Sequence, residues 1–514
     1  MTVSDGSDWR PARATGNDPP MTSPFVRALM SGIAFASVIW IVAQTRTDVD
    51  IWGHVRFGLE ILDARALHET DQYSFTSDRP WINHEWLSEV VFGAAWRAGG
   101  TPGLILVKLA CAFGTLALVA GTLKQRGISG HPRLMLLGLT LIGILPRIAQ
   151  VRPQIFSVVL FAALIRVFVY SEVRGTGALL WTIPIVVIWT NVHGGWLVGL
   201  GTVGLWCAGE AYALRTQRNR AVFALTCAAA AAVATLLNPY GVGLWQFLLE
   251  TVRFGREGIR EWGPVWSEPT TILVWGLFAL VIVAALRRTT RPRNPATVII
   301  PIVWGLLAFR VNRLDAFFAL SVIGLLAEPV ASFFRRRSSE RDPLPRVWRA
   351  GGVAAALAVM LVVPMSRRAF TCIGFYTPRW PEPQVIEFMH NRQLSGRMVT
   401  DFNWGEYGIW HMPRAVKISM DGRRETVYTD RTVTGHLRFY TGTDEGLEYL
   451  QELDADYIWL PRWFPVLPLL EERGWIPIFE GPRSTVLARP GAAADANPPA
   501  IVTEEPPARC FPGP

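Results

Sequence analysis

The sequence predicts a polytopic α-helical membrane protein that carries a small α/β domain outside the membrane. Three observations predict it. Half of the 514 residues are hydrophobic, 22 are tryptophan and the mean hydropathy is positive, a balance outside that of ordinary soluble domains. The apolar residues gather into runs able to cross a bilayer, which takes roughly 20 residues as helix. From about residue 380 these runs give way to short alternating helical and strand-like patterns. The formal charge of +9 rests on arginine, with only three lysines in the chain, Lys108, Lys124 and Lys417. An arginine excess of this kind reflects coding bias, and no nucleic-acid partner is inferred from it.

Residues 1–24 are polar and Gly/Pro-rich and are expected to be disordered on the cytoplasmic side. They carry no small-residue cleavage pattern, so the first apolar run is expected to stay as an anchor. About eleven spans are expected within 25–365, at 25–43, 102–122, 133–146, 154–170, 178–191, 196–213, 221–237, 271–286, 296–309, 314–333 and 350–365. Arginine and lysine collect on cytoplasmic connections. With the N-terminus inside, the basic connectors at 124–133, 171–177, 214–220, 287–293 and 335–342 all fall inside. The outside then receives the long loop 44–101, the connections at 147–154, 191–195, 238–270 and 309–315, and the chain after Pro364. Within 44–101, "WGHVRFGLEILDARAL" and "PWINHEWLSEVVFGAAWRAGG" carry apolar residues at helical spacing and read as two interfacial helices. Between them "ETDQYSFTSDRP" reads as a polar turn region. The α/β domain is placed at 380–490, and the Ala/Pro-rich 491–514 is expected to be a disordered tail. The five cysteines show no metal-ligand spacing and read as inert core residues; Cys372 and Cys510 would pair only in an oxidising compartment.

Nearly all the unusual polar residues fall on the outer connections, which makes that the working face. Asp48 and Asp50 stand where the first run ends. On a short extended exit both can face one cavity, as a general base or as a pair on a divalent cation; the alternative is a polar interfacial cap. His54 and Arg56 follow on the next helix, and "NHEWLSE" adds His84 and Glu85, with ordinary helix-start chemistry as the alternative. Arg147, Arg152, Arg310 and Arg313 run against the positive-inside trend. A guanidinium fork there suits a phosphate, and Lys108 could reach the same anion; the alternatives are pairing with Asp48, Asp50, Glu85 or Asp315, or snorkelling to headgroups. Asn191 and His193 in "NVHGGW", and Asn238 and Tyr240 in "LNPYG", read as turn-makers or as hydrogen-bonding groups for a sugar. Trp404, Tyr407 and Trp410 are read as domain core before a sugar platform.

The segment "DVDIWGHVRFG…DQYSF…RPWINHEWLSEV", behind a first span and ahead of further spans and an outer domain, resembles the GT-C membrane glycosyltransferases, and within them a group of bacterial GT-C-like proteins. The likeness covers about 25–490. It implies a sugar donor on a polyprenyl phosphate or pyrophosphate, inverting transfer to a hydroxyl of a lipid, glycan or protein, and a place in a bacterial inner membrane. Asp50 would be the base, with Asp48 as second choice, and the outer arginines would hold the leaving phosphate. No cofactor is called for beyond a possible divalent cation on Asp48 and Asp50. Departures matter: protein O-mannosyltransferases carry Asp-Glu where this chain has Asp-x-Asp followed by Trp-x-His. "WGEYG" at 404–408 only echoes the Trp-Trp-Asp-Tyr-Gly of oligosaccharyltransferases, so protein N-glycosylation is not expected. Two rivals stand: a non-catalytic scaffold or polysaccharide-assembly component, and a lipid-linked-glycan transporter. Polar residues concentrated at one face count against the transporter.

Overall fold

Where the sequence gathers apolar residues the backbone is helical, because a helix satisfies its own N–H and C=O groups without water. The computed structural model describes residues 24–251, 260–289, 292–335, 366–375, 380–491, 499–504 and 509–514. The chain divides into two units. One comprises 1–41 and 340–366, and its described element is helix α1 (Pro24–Ala43), which matches the first expected span. The span expected at 350–365 lies outside the described residues.

The second unit, 42–339 and 367–514, holds everything that follows. Its helices are α2 (Ile51–Ala64), α3 (Trp86–Gln125), α4 (Gly130–Ile148), α5 (Gln154–Arg174), α6 (Thr182–Val192), α7 (Trp196–Ala213), α8 (Arg218–Ala234), α9 (Gly243–Thr251), α10 (Pro269–Leu286), α11 (Ala296–Arg310), α12 (Asp315–Leu325) and α13 (Ala327–Ser332). Three of these, α3, α5 and α10, are long and apolar enough to cross a membrane by length and composition. The other expected spans of this unit fall on helices that miss these criteria in length or in apolar composition, so length and composition do not establish a count of about eleven. The last expected span of this unit, 314–333, is broken into α12 and α13. On α10, Leu273 and Leu280 are more than two-thirds exposed, the signature of an apolar face turned to lipid.

The two predicted interfacial helices appear as α2 and the first part of α3. They cross closely at Gly58, where a Cβ would come within 1.8 Å of the Glu89 carbonyl oxygen. Helix α3 then breaks at Gly100 just before Pro102 and continues as the next apolar segment. The segment predicted as the second interfacial helix and the apolar segment after it are therefore one element with a kink.

The α/β region carries β1 (Gly374–Phe375), β2 (Gly396–Thr400), β3 (Val416–Ile418), β4 (Tyr457–Pro461), β5 (Ile476–Glu480), β6 (Ser484–Ala488), β7 (Ala500–Ile501) and β8 (Arg509–Cys510). Six form one sheet in the order β3-β2-β4-β6-β5-β7, with β2 parallel to β3 and β4, and β6 antiparallel to β4 and β5. Trp52 and Val55 of α2 share a buried core with Met398, Trp404, Tyr407 and Trp459. The sheet domain thus packs directly against the helix that follows the two aspartates. Trp404 and Tyr407 are buried in this core, as expected.

Two expectations for the C-terminal part are corrected. The tail does not lack structure throughout: β7 extends the sheet and β8 pairs antiparallel with β1. Cys372 and Cys510 are joined in a disulfide, whereas Cys111, Cys207 and Cys227 are free and buried. Composition misled here because a few anchors suffice. Phe511 is buried against Trp52 and Trp96, and its carbonyl takes the Thr101 hydroxyl at 2.9 Å.

Candidate active site

Asp48 and Asp50 sit at the start of α2, yet they face different surroundings. Asp48 is buried; its Oδ1 accepts the Asp50 N–H at 2.9 Å, a side-chain-to-backbone turn that fixes the entry into the helix. Asp50 is the residue just before α2 and opens onto a cavity of about 960 Å³. The strand-like segment ahead of them is clamped on both sides: Arg46 donates its N–H to Ala149 O at 3.1 Å, and the Thr47 hydroxyl bonds Gly374 O at 2.8 Å. That clamp brings the loop of Arg152 alongside. Arg152 reaches Asp48 Oδ2 through Nε at 3.0 Å and Asp50 Oδ2 through Nη2 at 3.2 Å.

The sheet domain supplies a further carboxyl that the sequence reading missed. Glu406 stands in the first turn of a short helix, Gly405–His411, and its Oε2 accepts the Gly53 N–H of α2 at 3.0 Å. Space for it exists only because glycine stands at both neighbours. A Cβ on Gly53 would lie 2.2 Å from Glu406 Oε2; one on Gly422 would lie 2.0 Å from Asp50 Oδ1 and 3.0 Å from Glu406 Oε1. Burial, then the Asp48 carboxylate, push the Asp50 carboxyl up to about 7 against the pull of Arg152. Burial and the nearby Asp50 and Asp421 push Glu406 well above the carboxylate range.

The opposite wall carries cations and imidazoles. Arg313 lies over the Trp262 ring and reaches Glu261 at 3.6 Å. His193 Nδ1 is bonded by the Ser157 hydroxyl at 2.7 Å and the Gly195 N–H at 3.0 Å, leaving Nε2 facing Glu85 at 3.6 Å. His84 faces the same carboxylate at 3.7 Å. His54 bonds Glu89, and that bond together with Glu85 holds its imidazole above the ordinary value in spite of burial. One arginine welds the site to the sheet domain. Arg423 makes a forked pair with Asp421, reaches Asp71 at 2.6 Å and lies over the rings of Trp81, Phe57 and Tyr73.

No family model and no curated protein matches the sequence. Solved structures do. The oligosaccharyltransferase AglB of Archaeoglobus fulgidus, in complex with an inhibitory peptide and a dolichol-phosphate, aligns over 84% of this chain and 69% of its own, with 10% identity and a TM-score of 0.55. The arabinofuranosyltransferase AftD from Mycobacteria aligns over 90% of this chain and 40% of its own, with 14% identity and a TM-score of 0.51. Both are GT-C membrane glycosyltransferases. The chain has the GT-C fold.

Within this GT-C fold the sequence-predicted residues separate into two groups. Asp50, His54, His84, Glu85, Arg152, His193 and Arg313 line the one cavity, with Asp48 directly behind. The others are elsewhere. Lys108 is buried and donates to Gln44 O at 2.9 Å, so it cannot reach a cavity anion. Arg147 is held by Asp315 at 2.7 Å and by Asn312. Arg310 is exposed at the end of α11, away from the cavity. Arg56 pairs with Glu60 at 2.5 Å on the other side of α2 and lines a separate cavity. Asn191 bonds Val187 O, Leu237 O and the Trp86 indole; Asn238 bonds Thr235 O; and the Tyr240 hydroxyl takes the Asn83 N–H. These three side chains are engaged by other groups of the chain, and none of them lines the cavity. Glu261, Glu406 and Arg423 were missed. Each was visible in sequence as a charged residue among aromatics or glycine ("REW", "WGEYG", "SMDGRRE"), but nothing local told it from surface charge.

Another structure of the archaeal oligosaccharyltransferase is a complex with Zn and sulfate (11% identity, 85% of this chain and 68% of that chain, TM-score 0.51). The aspartate pair does not fit such an ion as it stands. Both carboxylates are engaged by one guanidinium, and among the described residues no group of three or more His, Cys, Asp or Glu could hold a metal. No step is assigned to a cation.

Proposed function

We propose that this protein is an inverting glycosyltransferase that moves a sugar from a polyprenyl-phosphate donor to a hydroxyl of a lipid, glycan or protein acceptor, at the outer face of a bacterial inner membrane. The observation that carries the reading is Asp50: a carboxyl on the wall of a large cavity, tuned to about 7 and paired with Arg152, with Arg313 lining the same cavity, two guanidinium groups suited to a phosphate. In the step proposed, the acceptor oxygen bonds to the anomeric carbon from the face opposite the phosphate, and its proton passes to Asp50. The bond from anomeric carbon to phosphate oxygen breaks, and its electron pair leaves on the phosphate. Arg152 and Arg313 stabilise that charge, so no strong general acid is needed. The dolichol-phosphate bound by the archaeal relative of this fold supports a lipid-linked donor here.

The test is reconstitution of the full chain in lipid nanodiscs with polyprenyl-phosphate-linked hexoses and pentoses. Release of polyprenyl phosphate with an inverted glycoside product is expected. Binding of such donors with no turnover under any acceptor would favour the scaffold instead, and translocation without bond cleavage would favour the transporter.

A further inference from the structure

Each of the three nitrogens of Arg152 already meets a carboxylate. Nε meets Asp48 at 3.0 Å, Nη2 meets Asp50 at 3.2 Å and Nη1 meets Glu261 at 3.1 Å. Glu261 is shared more widely still: Arg313 Nη1 lies 3.6 Å from Oε1 and Arg147 Nη1 lies 3.7 Å from Oε2. Three guanidinium groups, two from the connection 147–154 and one from 309–315, therefore converge on one carboxylate. Burial opposes its charge, yet Arg313, Arg152 and Arg147 hold it down at about 2. This is how a site for a multiply charged oxyanion is built, with a side chain standing in it.

The three carboxylates on Arg152 are not equally fixed. The Asp48 side chain is 2% exposed and tied to the backbone of the next turn. Asp50 is set by the start of α2. Glu261 is 23% exposed, lines the cavity and sits on a single short turn, Arg260–Trp262. It is the one that can yield. Arg147 would stay where it is, because Asp315 and Asn312 hold it independently.

We propose that Glu261 is an internal stand-in for the leaving phosphate: it keeps Arg152 and Arg313 in place while no anion is bound and surrenders them to the phosphate monoester that the transfer releases. The inference rests on the phosphate-binding reading above and adds its consequence, a built-in competitor that sets the phosphate affinity and eases product release. The same chemistry would receive a polyprenyl monophosphate or free inorganic phosphate.

The test uses the full chain in nanodiscs, with inorganic phosphate and a short-chain polyprenyl monophosphate as separate titrants. Glu261→Gln is expected to bind at least one of them about tenfold tighter, and Arg313→Gln about tenfold weaker. Tightening for both titrants locates the recognition in the phosphate alone; tightening for the lipid only adds a seat for the chain. If Arg313→Gln binds as the parent does, the phosphate reading itself fails. If Arg313→Gln weakens binding while Glu261→Gln is unchanged or weaker, the stand-in is overturned and Glu261 is simply part of the frame. Should Glu261→Gln not fold, Glu261→Asp, shorter by one methylene, is expected to shift affinity in the same direction by less. A shift the other way overturns the proposal.

Discussion

Asp48 uses both of its oxygens on its own frame, one on the Asp50 N–H and one on Arg152, whereas Asp50 keeps Oδ1 toward the cavity side at Gly422. Asp50→Asn is therefore expected to lower kcat by about 10²–10⁴-fold, the usual range for a positioned base. The pH profile gives a second readout. A base raised to about 7 works only when deprotonated, so kcat/KM should climb about tenfold per pH unit below 7 and level off above it. Asp48 is one of the charges that raises Asp50, so Asp48→Asn should move the limb to lower pH. A limb that stays in place would mean that another group titrates. Much of this was legible in the sequence, since "DVD" marked the place and the outer position of Arg152 marked a cation needing a partner. What was not legible is the division of labour. An i, i+2 spacing puts two carboxylates near each other, and only the turn that Asp48 caps tells which one is left for the cavity. Glu406 was hidden for a stronger reason: it meets Asp50 across more than 350 residues, through two glycines whose role is simply to leave room.

Helices α2 and α3 and the strap between them were readable as elements, from apolar spacing and from the polar "ETDQYSFTSDRP". Their assembly was not. The strap proves to be a docking strand: Phe75 N–H bonds Ile418 O at 3.0 Å, Ile418 N–H bonds Tyr73 O at 3.1 Å, and Asp78 caps the helix at Asp430–Thr441 through Thr429 and Thr432. Arg423 closes the junction from the other side, fully paired and lying over three rings. Removing one partner of a buried pair leaves the other charged and dry, so Arg423→Ala is expected to cost about 3–5 kcal/mol. Denaturant unfolding of the purified protein checks this, and a loss below about 1 kcal/mol would mean that the junction is held elsewhere. At the α2/α3 crossing, Gly58→Ala should cost about 1–3 kcal/mol, because the added carbon meets backbone and not a movable side chain. The sheet strands β2 to β6 were legible from apolar runs, but β7 in the tail was not, and neither was the strand order. Order depends on crossovers that leave no local trace.

Across the whole second unit, five connections that the loop charges placed on one side converge on a single cavity: those carrying Asp50, Arg152, His193, Glu261 and Arg313. Charge parity carried that information because it is a global count. It could not foresee that Cys372 and Cys510, 138 residues apart, would close on each other. An oxidising compartment follows if the bond forms in the cell. Thiol titration of the denatured, unreduced protein should then find three thiols, and five after reduction. Cys510→Ser should lower stability by about 2–4 kcal/mol. Finding five thiols at the outset would contradict both the clasp and the outer placement of the C-terminal region. The central claim, that Asp50 deprotonates an acceptor attacking a phosphate-linked sugar, is tested most directly by the pH dependence of polyprenyl-phosphate release from a lipid-linked sugar in nanodiscs, for the parent chain and Asp50→Asn side by side. The account predicts release by the parent that rises through pH 7, and release by the variant about 10²–10⁴-fold slower with no such rise. Equal release by the two proteins, with the same pH profile, would contradict it.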